Sequence, residues 1–192
     1  MTRAAVLPLV NFALFQAGWF SCVLGAAHGL PWVGPLVVVA IVLLHLSLAE
    51  SPMPETRLLG CALILGLFFE SLLSATGSLH YASGNLVRGI APFWILAMWV
   101  LFATTLNVSL AWLKQNLLLA SGLGALFGPL SYLAGAQLGG VEFIHRTAAP
   151  AFLAIGWALI MPFLVWLARH FDGMHSGSRA VAVPTRLGER SR

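Results

Sequence analysis

Long apolar segments separated by short polar breaks run along the whole chain. The apolar segments cover residues 4–27, 32–49, 57–76, 91–113, 117–138 and 148–168. Their lengths are close to the roughly 20 residues that an α-helix needs to cross the hydrocarbon core of a bilayer. They lack the strict alternation of a barrel strand, and in lipid a helix satisfies all of its own backbone groups. The pattern therefore predicts an all-α membrane protein, a bundle of about six transmembrane helices in one domain, residues 1–169.

The polar breaks predict how these helices are joined. Tight turns are expected at 28–31 and 114–116, a break with two prolines at 50–56, and longer loops at 77–89 and 139–147. Residues 170–192 are polar and basic without apolar periodicity, so we expect a disordered cytoplasmic tail there. Pro129 lies inside the fifth segment and removes a backbone donor, which predicts a kink in that helix.

Composition and charge strengthen the membrane assignment. Hydrophobic residues make up 59% of the chain and charged residues only 8%, whereas soluble domains carry about a quarter of charged residues. The net charge of +4 does not indicate a nucleic-acid partner, because the arginines concentrate after the last apolar segment. With six spans, eight of the ten lysines and arginines fall on the side of the termini, which places both termini in the cytoplasm. Membrane lipids are the expected partners.

Catalytic and metal-binding motifs are missing from the sequence. Cys22 and Cys61 both lie in apolar segments without a partner at metal-ligand spacing. We find no zincin HExxH motif, no nucleophile elbow and no phosphate-binding glycine loop. The sequence therefore predicts no metal and no cofactor, and it leaves open whether the protein is an enzyme.

Polar side chains inside the apolar segments form two predicted layers. At about 1.5 Å per residue from the cytoplasmic ends, one layer lies about 8 to 12 Å deep and a second about 20 to 27 Å deep. The inner layer holds Asn11, His45 and Asn107, and the central layer holds Gln16, Glu70, Pro129, Ser131 and Tyr132. Asn11 and Asn107 are expected to bridge the first and fourth spans. Since Asn11 and Gln16 point in different directions, span 1 is expected to be central in the bundle.

Glu70 is the most informative single residue. An acid near the bilayer centre costs a few kcal/mol and normally faces the interior of the bundle. It either binds a proton or a substrate, or it is a protonated, hydrogen-bonded structural acid paired with Gln16, Tyr132 or a tryptophan N–H. The sequence leaves both interpretations open.

Two rows of small residues lie on the fifth segment. Gly124 and Gly128 form one row, and Ser131, Gly135 and Gly139 form the other. Small residues let helices approach closely in lipid. The rows indicate packing within one bundle or, alternatively, a seam between two copies of the chain.

Several sequence strings resemble a known family. They are Asn11-Phe12 with Gln16 and Trp19, and the stretches 66–73, 91–94, 102–107 and 124–135. Together they resemble a family of small bacterial inner-membrane proteins classed as a domain of unknown function. The resemblance covers the chain up to about Trp166, and it implies an inner-membrane location. Members are expected near genes for fatty-acid modification of the cyclopropane-synthase kind, which implies a lipid-related role, and no catalytic residue is implied.

Three functional hypotheses follow. The first is a protein that binds or transports a small or lipid-like molecule in a polar intramembrane cavity. Its candidate binding residues are Glu70, Gln16, Asn11, Asn107, Trp94 and Tyr132. The second is a structural or accessory protein of a lipid-modification system, and the third is a membrane-embedded enzyme acting on acyl lipids.

Overall fold

A computed structural model describes residues 3–87 and 89–174 of the protein. Its elements are helices α1 (Arg3–Ala27), α2 (Val33–Leu48) and α3 (Pro52–Ala75), strand β1 (Leu79–Tyr81), helix α4 (Phe93–Ala103), a 3-10 helix (Ala111–Gln115), helix α5 (Leu117–Gln137), strand β2 (Val141–Phe143) and helix α6 (Ala148–His170). The predominantly helical fold is confirmed. Four helices, α1, α3, α5 and α6, are long and apolar enough to cross a membrane, so the protein is membrane-embedded. Helices α2 and α4 are shorter.

The helices run between two ends of the bundle. At one end, which we call the base, residues 48–52, 104–116 and 170–174 come together, as shown by the bond from Ser51 N to Gly173 O (2.9 Å). At the other end, which we call the cap, lie residues 28–32, 76–87, 89–92 and 138–147. There the Ser83 hydroxyl donates to Ala26 O (2.8 Å).

The cap contains a short antiparallel ribbon where the sequence predicted only loops. Strand β1 pairs with β2 in the register Leu79 with Phe143 and His80 with Glu142. Each strand starts four residues after a long helix ends, α3 for β1 and α5 for β2. The ribbon therefore ties the ends of these two helices together.

The prediction of one continuous fourth span from 91 to 113 is wrong. Helix α4 ends at Ala103, and residues 104–115 form turns and a 3-10 helix. The hydroxyls of Thr104 and Thr105 donate to the carbonyls of Leu101 (2.7 Å) and Phe102 (2.6 Å). Threonine side chains that bond to the backbone compete with the α-helical pattern, and the backbone tightens to bonds three residues apart.

Helix α4, rather than α1, is the central helix of its half of the bundle. It packs on α1, α2 and α3, whereas α1 packs chiefly on α2 and α4. The expectation that span 1 is central is therefore wrong. The aromatic residues of α4 explain its place, because Trp94 and Trp99 are 1% and 3% exposed.

Helices α5 and α6 form the tightest pair in the fold, and the first glycine row makes their contact possible. A side chain at Gly124 would overlap the Trp157 carbonyl, and one at Gly128 would overlap the Trp157 ring. The close approach that small residues permit is thus used inside one chain. A seam between two copies through Ser131, Gly135 and Gly139 stays a prediction.

Two further boundaries differ from the sequence prediction. Helix α3 begins at Pro52 rather than near Arg57, because proline fits the first helical position, where its missing N–H is not needed. The predicted tail does not begin at residue 170: residues 171–174 fold back onto the base, and 175–192 lie outside the described residues. Helix α5 continues through Pro129, and the kink stays a prediction.

Candidate functional site

Glu70 lies in a closed cluster of aromatic hydrogen-bond donors. Its side chain is fully buried. One carboxylate oxygen accepts from the Trp99 indole N–H (2.7 Å) and from the Tyr132 hydroxyl, and the other accepts from the Tyr81 hydroxyl (2.5 Å). A hydrogen bond within a protein contributes about 1 kcal/mol to stability, and leaving its buried partner unsatisfied costs about 1 to 3 kcal/mol. The cluster therefore joins α3, α4, α5 and β1 at a single side chain.

Two glycines, each one helical turn before a member of this cluster, open the space for it. On α3, Gly66 precedes Glu70 by four residues, and a side chain there would overlap the Trp99 ring. On α5, Gly128 precedes Tyr132 by four residues and is covered by Trp157, whose ring stacks on Trp99 (5.1 Å between centroids, 19° between planes). Residues four apart share a helix face. The glycine and the polar residue thus act as a pair on each helix.

The surroundings of Glu70 are close-packed. Phe69 packs edge-on against Trp99, with 6.0 Å between centroids. Burial, together with the charge of Glu70, raises the pKa of the Tyr81 hydroxyl well above its usual value, so Tyr81 stays protonated and donates. With three donors on one carboxylate and no exposed surface, Glu70 holds helices together rather than facing an open cavity.

A second buried carboxylate, Glu55, organises the base. It is 0% exposed and sits in the first turn of α3. One oxygen is 2.8 Å from His45 Nε2 of α2, and the other accepts from the Asn107 side-chain N–H (2.6 Å) and the Gly173 backbone N–H (2.7 Å). Glu55 therefore connects α2, α3, the turns after α4 and the segment after α6.

The segment that follows α6 is fitted closely to this second carboxylate. Asn107 also donates to Phe171 O (2.9 Å), and a side chain at Gly173 would overlap Ser51 O. At the edge, Lys114 and Asp172 form an ion pair at 2.8 Å. The glycine is required because only a bare Cα allows the chain to lie against residue 51.

Asn11 joins α1 to the turns after α4. Its side-chain N–H donates to Thr104 O (3.2 Å), and its oxygen accepts from the Ser109 hydroxyl (2.7 Å). The predicted bridge between Asn11 and Asn107 is therefore wrong, because the Asn107 side chain donates to Glu55 instead. A connection between the first and fourth segments at this depth is present all the same.

A narrow groove lies between α1 and α2 beside the Glu55 cluster. It encloses about 30 Å³ and is lined by Leu7, Val10, Asn11, Leu14, Ile41, Leu44, His45, Leu48, Val108 and Met174. Among the described residues that line it, Asn11 and His45 are the polar ones. Each forms a hydrogen bond to another segment, Asn11 with Ser109 and His45 with Glu55. The space equals about one water molecule's share of liquid water.

The structure thus distributes the six predicted binding residues over separate places. Glu70 and Tyr132 meet in the aromatic cluster, Asn107 belongs to the Glu55 cluster, and Asn11 lines the groove. Gln16 is half-buried on α1 and is not a partner of Glu70. Trp94 is buried, and its indole N–H donates to Ser83 O of the cap (2.9 Å).

Sequence reasoning missed Glu55 as a buried acid. The signal was available, because proline at a first helical position followed by an acid in the first turn is a helix start. Tyr81 carried no comparable signal, since only the pairing of two distant loops brings it to Glu70. No group of three or more His, Cys, Asp or Glu within residues 3–87 and 89–174 is placed to hold a metal ion.

Comparison with known proteins places this chain in a family. Residues 8–163 match the family described as Protein of unknown function (DUF2878). The chain belongs to the DUF2878 family. The resemblance to a domain of unknown function is thereby confirmed, and the match covers α1 to α5 and most of α6. No curated protein and no solved structure matched the chain.

Replacing Trp99 by phenylalanine tests the Glu70 cluster. The Trp99→Phe protein loses one donor to the buried carboxylate, so its free energy of unfolding in detergent should fall by about 2 kcal/mol. Trp112→Phe is the matched control, because Trp112 is 52% exposed. It should change the free energy of unfolding by less than about 0.5 kcal/mol. Equal effects of the two substitutions would contradict the structural role of Glu70.

Proposed function

We propose that this DUF2878 protein crosses the inner membrane six times with both termini in the cytoplasm. Contacts at both ends of the helices support six crossings. Helix α2 leaves the cap turn and reaches Glu55 at the base through His45, and α4 runs from Trp94 at the cap to Thr104 at the base. Beyond α4, the turns and 3-10 helix extend the fourth crossing to residue 115. The sequence supports the orientation, because with six spans eight of its ten lysines and arginines fall on the side of the termini.

A reporter fused after Arg192 tests this orientation. An enzyme that is active only in the cytoplasm should be active in this fusion. A fusion placed after His145 in the cap loop should be inactive with the same reporter. The reverse pattern would contradict the proposed topology.

We further propose that the protein binds a membrane lipid in the groove between α1 and α2. The observation that carries this proposal is the lining of the groove, eight apolar side chains around Asn11 and His45. A space of about 30 Å³ is too small for a sugar or an amino acid, since solute pockets enclose about 300 Å³ or more. A linear acyl chain fits such a groove by lying along its open apolar lining, with about one small group of the chain in the enclosed space.

The two polar side chains of the groove give the lipid a fixed position. His45 has Nε2 directed at Glu55, which leaves its other ring nitrogen for a ligand. Asn11 uses one side-chain N–H for Thr104 O and has a second N–H. One acceptor and one donor suit a hydroxyl or carboxyl group near the end of an acyl chain. The lipid-related role implied by the family resemblance is of this kind.

The closed environment of Glu70 favours the groove over the centre of the bundle. Every oxygen of Glu70 is occupied by a protein donor, and a ligand would first have to displace Tyr81, Tyr132 or Trp99. Displacing them costs those hydrogen bonds before any new contact forms. In the groove, by contrast, an acyl chain contacts the lining side chains without first breaking a hydrogen bond within the protein.

Photo-crosslinking with a diazirine-labelled acyl phospholipid tests the binding proposal. The protein is held in nanodiscs, exchanged into detergent and irradiated, and labelled peptides are mapped. Label should concentrate on residues 7–14 of α1 and 41–48 of α2, because a lipid seated in the groove survives the exchange. Uniform labelling of all lipid-facing helices would contradict a specific site.

A filling substitution makes this experiment sharper. Leu44 lines the groove and is 44% exposed, so Leu44→Trp fills the groove from its open side and should reduce the retained label about tenfold, the effect of about 1.4 kcal/mol. Ile155→Trp is the control, because Ile155 on α6 is 66% exposed and lies outside the groove. Both variants should show the melting temperature of the wild type within a few degrees. An unchanged signal in folded Leu44→Trp would refute the groove site.

A further inference from the structure

The ribbon of the cap carries an acid and a base directly opposite each other. In the antiparallel register, His80 of β1 faces Glu142 of β2. Leu79, Tyr81 and Val141 are buried on one face of the ribbon, and His80 and Glu142 are exposed on the other. Neither of these two side chains forms a hydrogen bond or an ion pair in the described part of the chain. Their polar groups are therefore available to a ligand.

An open cleft lies beside this pair. It has a volume of about 270 Å³ and is lined by His80, Ala82, Ala136, Gly139, Val141 and Glu142. We call it the ribbon cleft. Apart from His80 and Glu142, its lining is small or apolar, so the acid and the base are its only charged or titratable groups. The volume is far larger than that of the groove and approaches that of small-molecule sites.

The floor of the ribbon cleft is held in place by the rest of the fold. Ala82 N donates to Gly140 O (3.1 Å), which closes the ribbon next to the cleft. A side chain at Gly140 would press on Val23 of α1, at 3.0 Å from its Cγ1. Gly139 has a φ of 83°, a left-handed conformation that glycine adopts without strain. The turn after α5 is thus fitted to α1, and the cleft is preformed.

We propose that the ribbon cleft binds the zwitterionic headgroup of a phosphoethanolamine lipid. The Glu142 carboxylate binds the ammonium group, and the His80 imidazole donates to a phosphate oxygen. Side chains directly opposite on an antiparallel ribbon start about 4.5 to 5.5 Å apart at Cβ, and this spacing suits two linked groups of opposite charge. An imidazole has an N–H donor in either protonation state, so the phosphate contact does not require a charged histidine.

The position of the ribbon cleft favours a lipid as the source of this zwitterion. The ribbon starts four residues after the ends of α3 and α5, two helices long enough to cross the membrane, which places it at the level of the headgroups. Ile144, the residue directly after β2, is 52% exposed. An exposed apolar side chain beside a polar cleft suits the boundary between headgroups and acyl chains. This site lies at the opposite end of the bundle from the groove and does not depend on it.

Native mass spectrometry of the detergent-solubilised full chain tests the proposal. Dihexanoyl phosphoethanolamine and dihexanoyl phosphoglycerol are titrated in parallel, because the second lipid has the same phosphate and chains but no ammonium. The wild type should bind the phosphoethanolamine lipid about tenfold more tightly. Glu142→Gln should abolish this preference, and Ala82→Trp, an exposed position that fills the cleft, should weaken binding of the lipid. His145→Ala, exposed in the same loop but outside the cleft, should bind as the wild type does.

The outcomes separate a lipid from a free metabolite and from no site. If glycerophosphoethanolamine without chains binds as tightly as the lipid, the ligand is a soluble zwitterion and the lipid assignment is overturned. If folded Glu142→Gln and Ala82→Trp keep the wild-type preference, the ribbon cleft is not the binding site. If His145→Ala loses the preference as the two variants do, the loss is not specific to the ribbon cleft, and the proposal is overturned.

Discussion

The fold depends on two carboxylates that helix α3 carries into the interior. Glu55 and Glu70 are fifteen residues apart, or about 22 Å along the helix. Neither has any exposed surface. A charge without partners in such a place costs several kcal/mol, so the sequence must supply donors at both ends of one helix. Most of the unusual features of the chain follow from that requirement.

At each end, the donors come from segments that are distant in sequence. Glu70 gathers a tyrosine from the ribbon, a tryptophan from α4 and a tyrosine from α5. Glu55 gathers a histidine from α2, an asparagine from the turns after α4 and a backbone N–H after α6. Glycine occupies positions 66, 128 and 173 next to these contacts, because a side chain at any of them would overlap neighbouring atoms. In a bilayer, where apolar contact gives little preference for one helix partner over another, such polar contacts specify the arrangement.

A feature of this fold could be predicted from the sequence when its signal lay within one short stretch of the chain. The apolar segments predicted the helices, and the rule for intramembrane acids singled out Glu70 with Tyr132 and an indole N–H among its expected partners. Glu55 was missed because the prolines at 52 and 54 were interpreted as a break instead of a helix start. The unwinding after Ala103 followed from threonine bonds to the backbone, which helix periodicity does not register. Tyr81 and Gly173 reach their carboxylates through tertiary contacts that no local pattern contains.

The closed carboxylate clusters favour the edge of the bundle over its centre as the place for a ligand. Within the described residues, the donors around Glu55 and Glu70 are bonded to these carboxylates. Asn11 and His45 instead line the groove, and His80 and Glu142 line the ribbon cleft. The groove and the ribbon cleft are therefore the two places at which we propose a lipid.

Hydrogen exchange of the indole N–H groups, followed by NMR in deuterated buffer, tests whether Glu70 is closed off inside the bundle. The Trp99 indole, closed against Glu70, should exchange only on global unfolding, with a protection factor of about a thousandfold or more. The exposed indoles of Trp32 and Trp112 should exchange without delay in the same sample. Exchange of Trp99 as fast as that of Trp112 would show water at Glu70 and would contradict a dry, structural carboxylate.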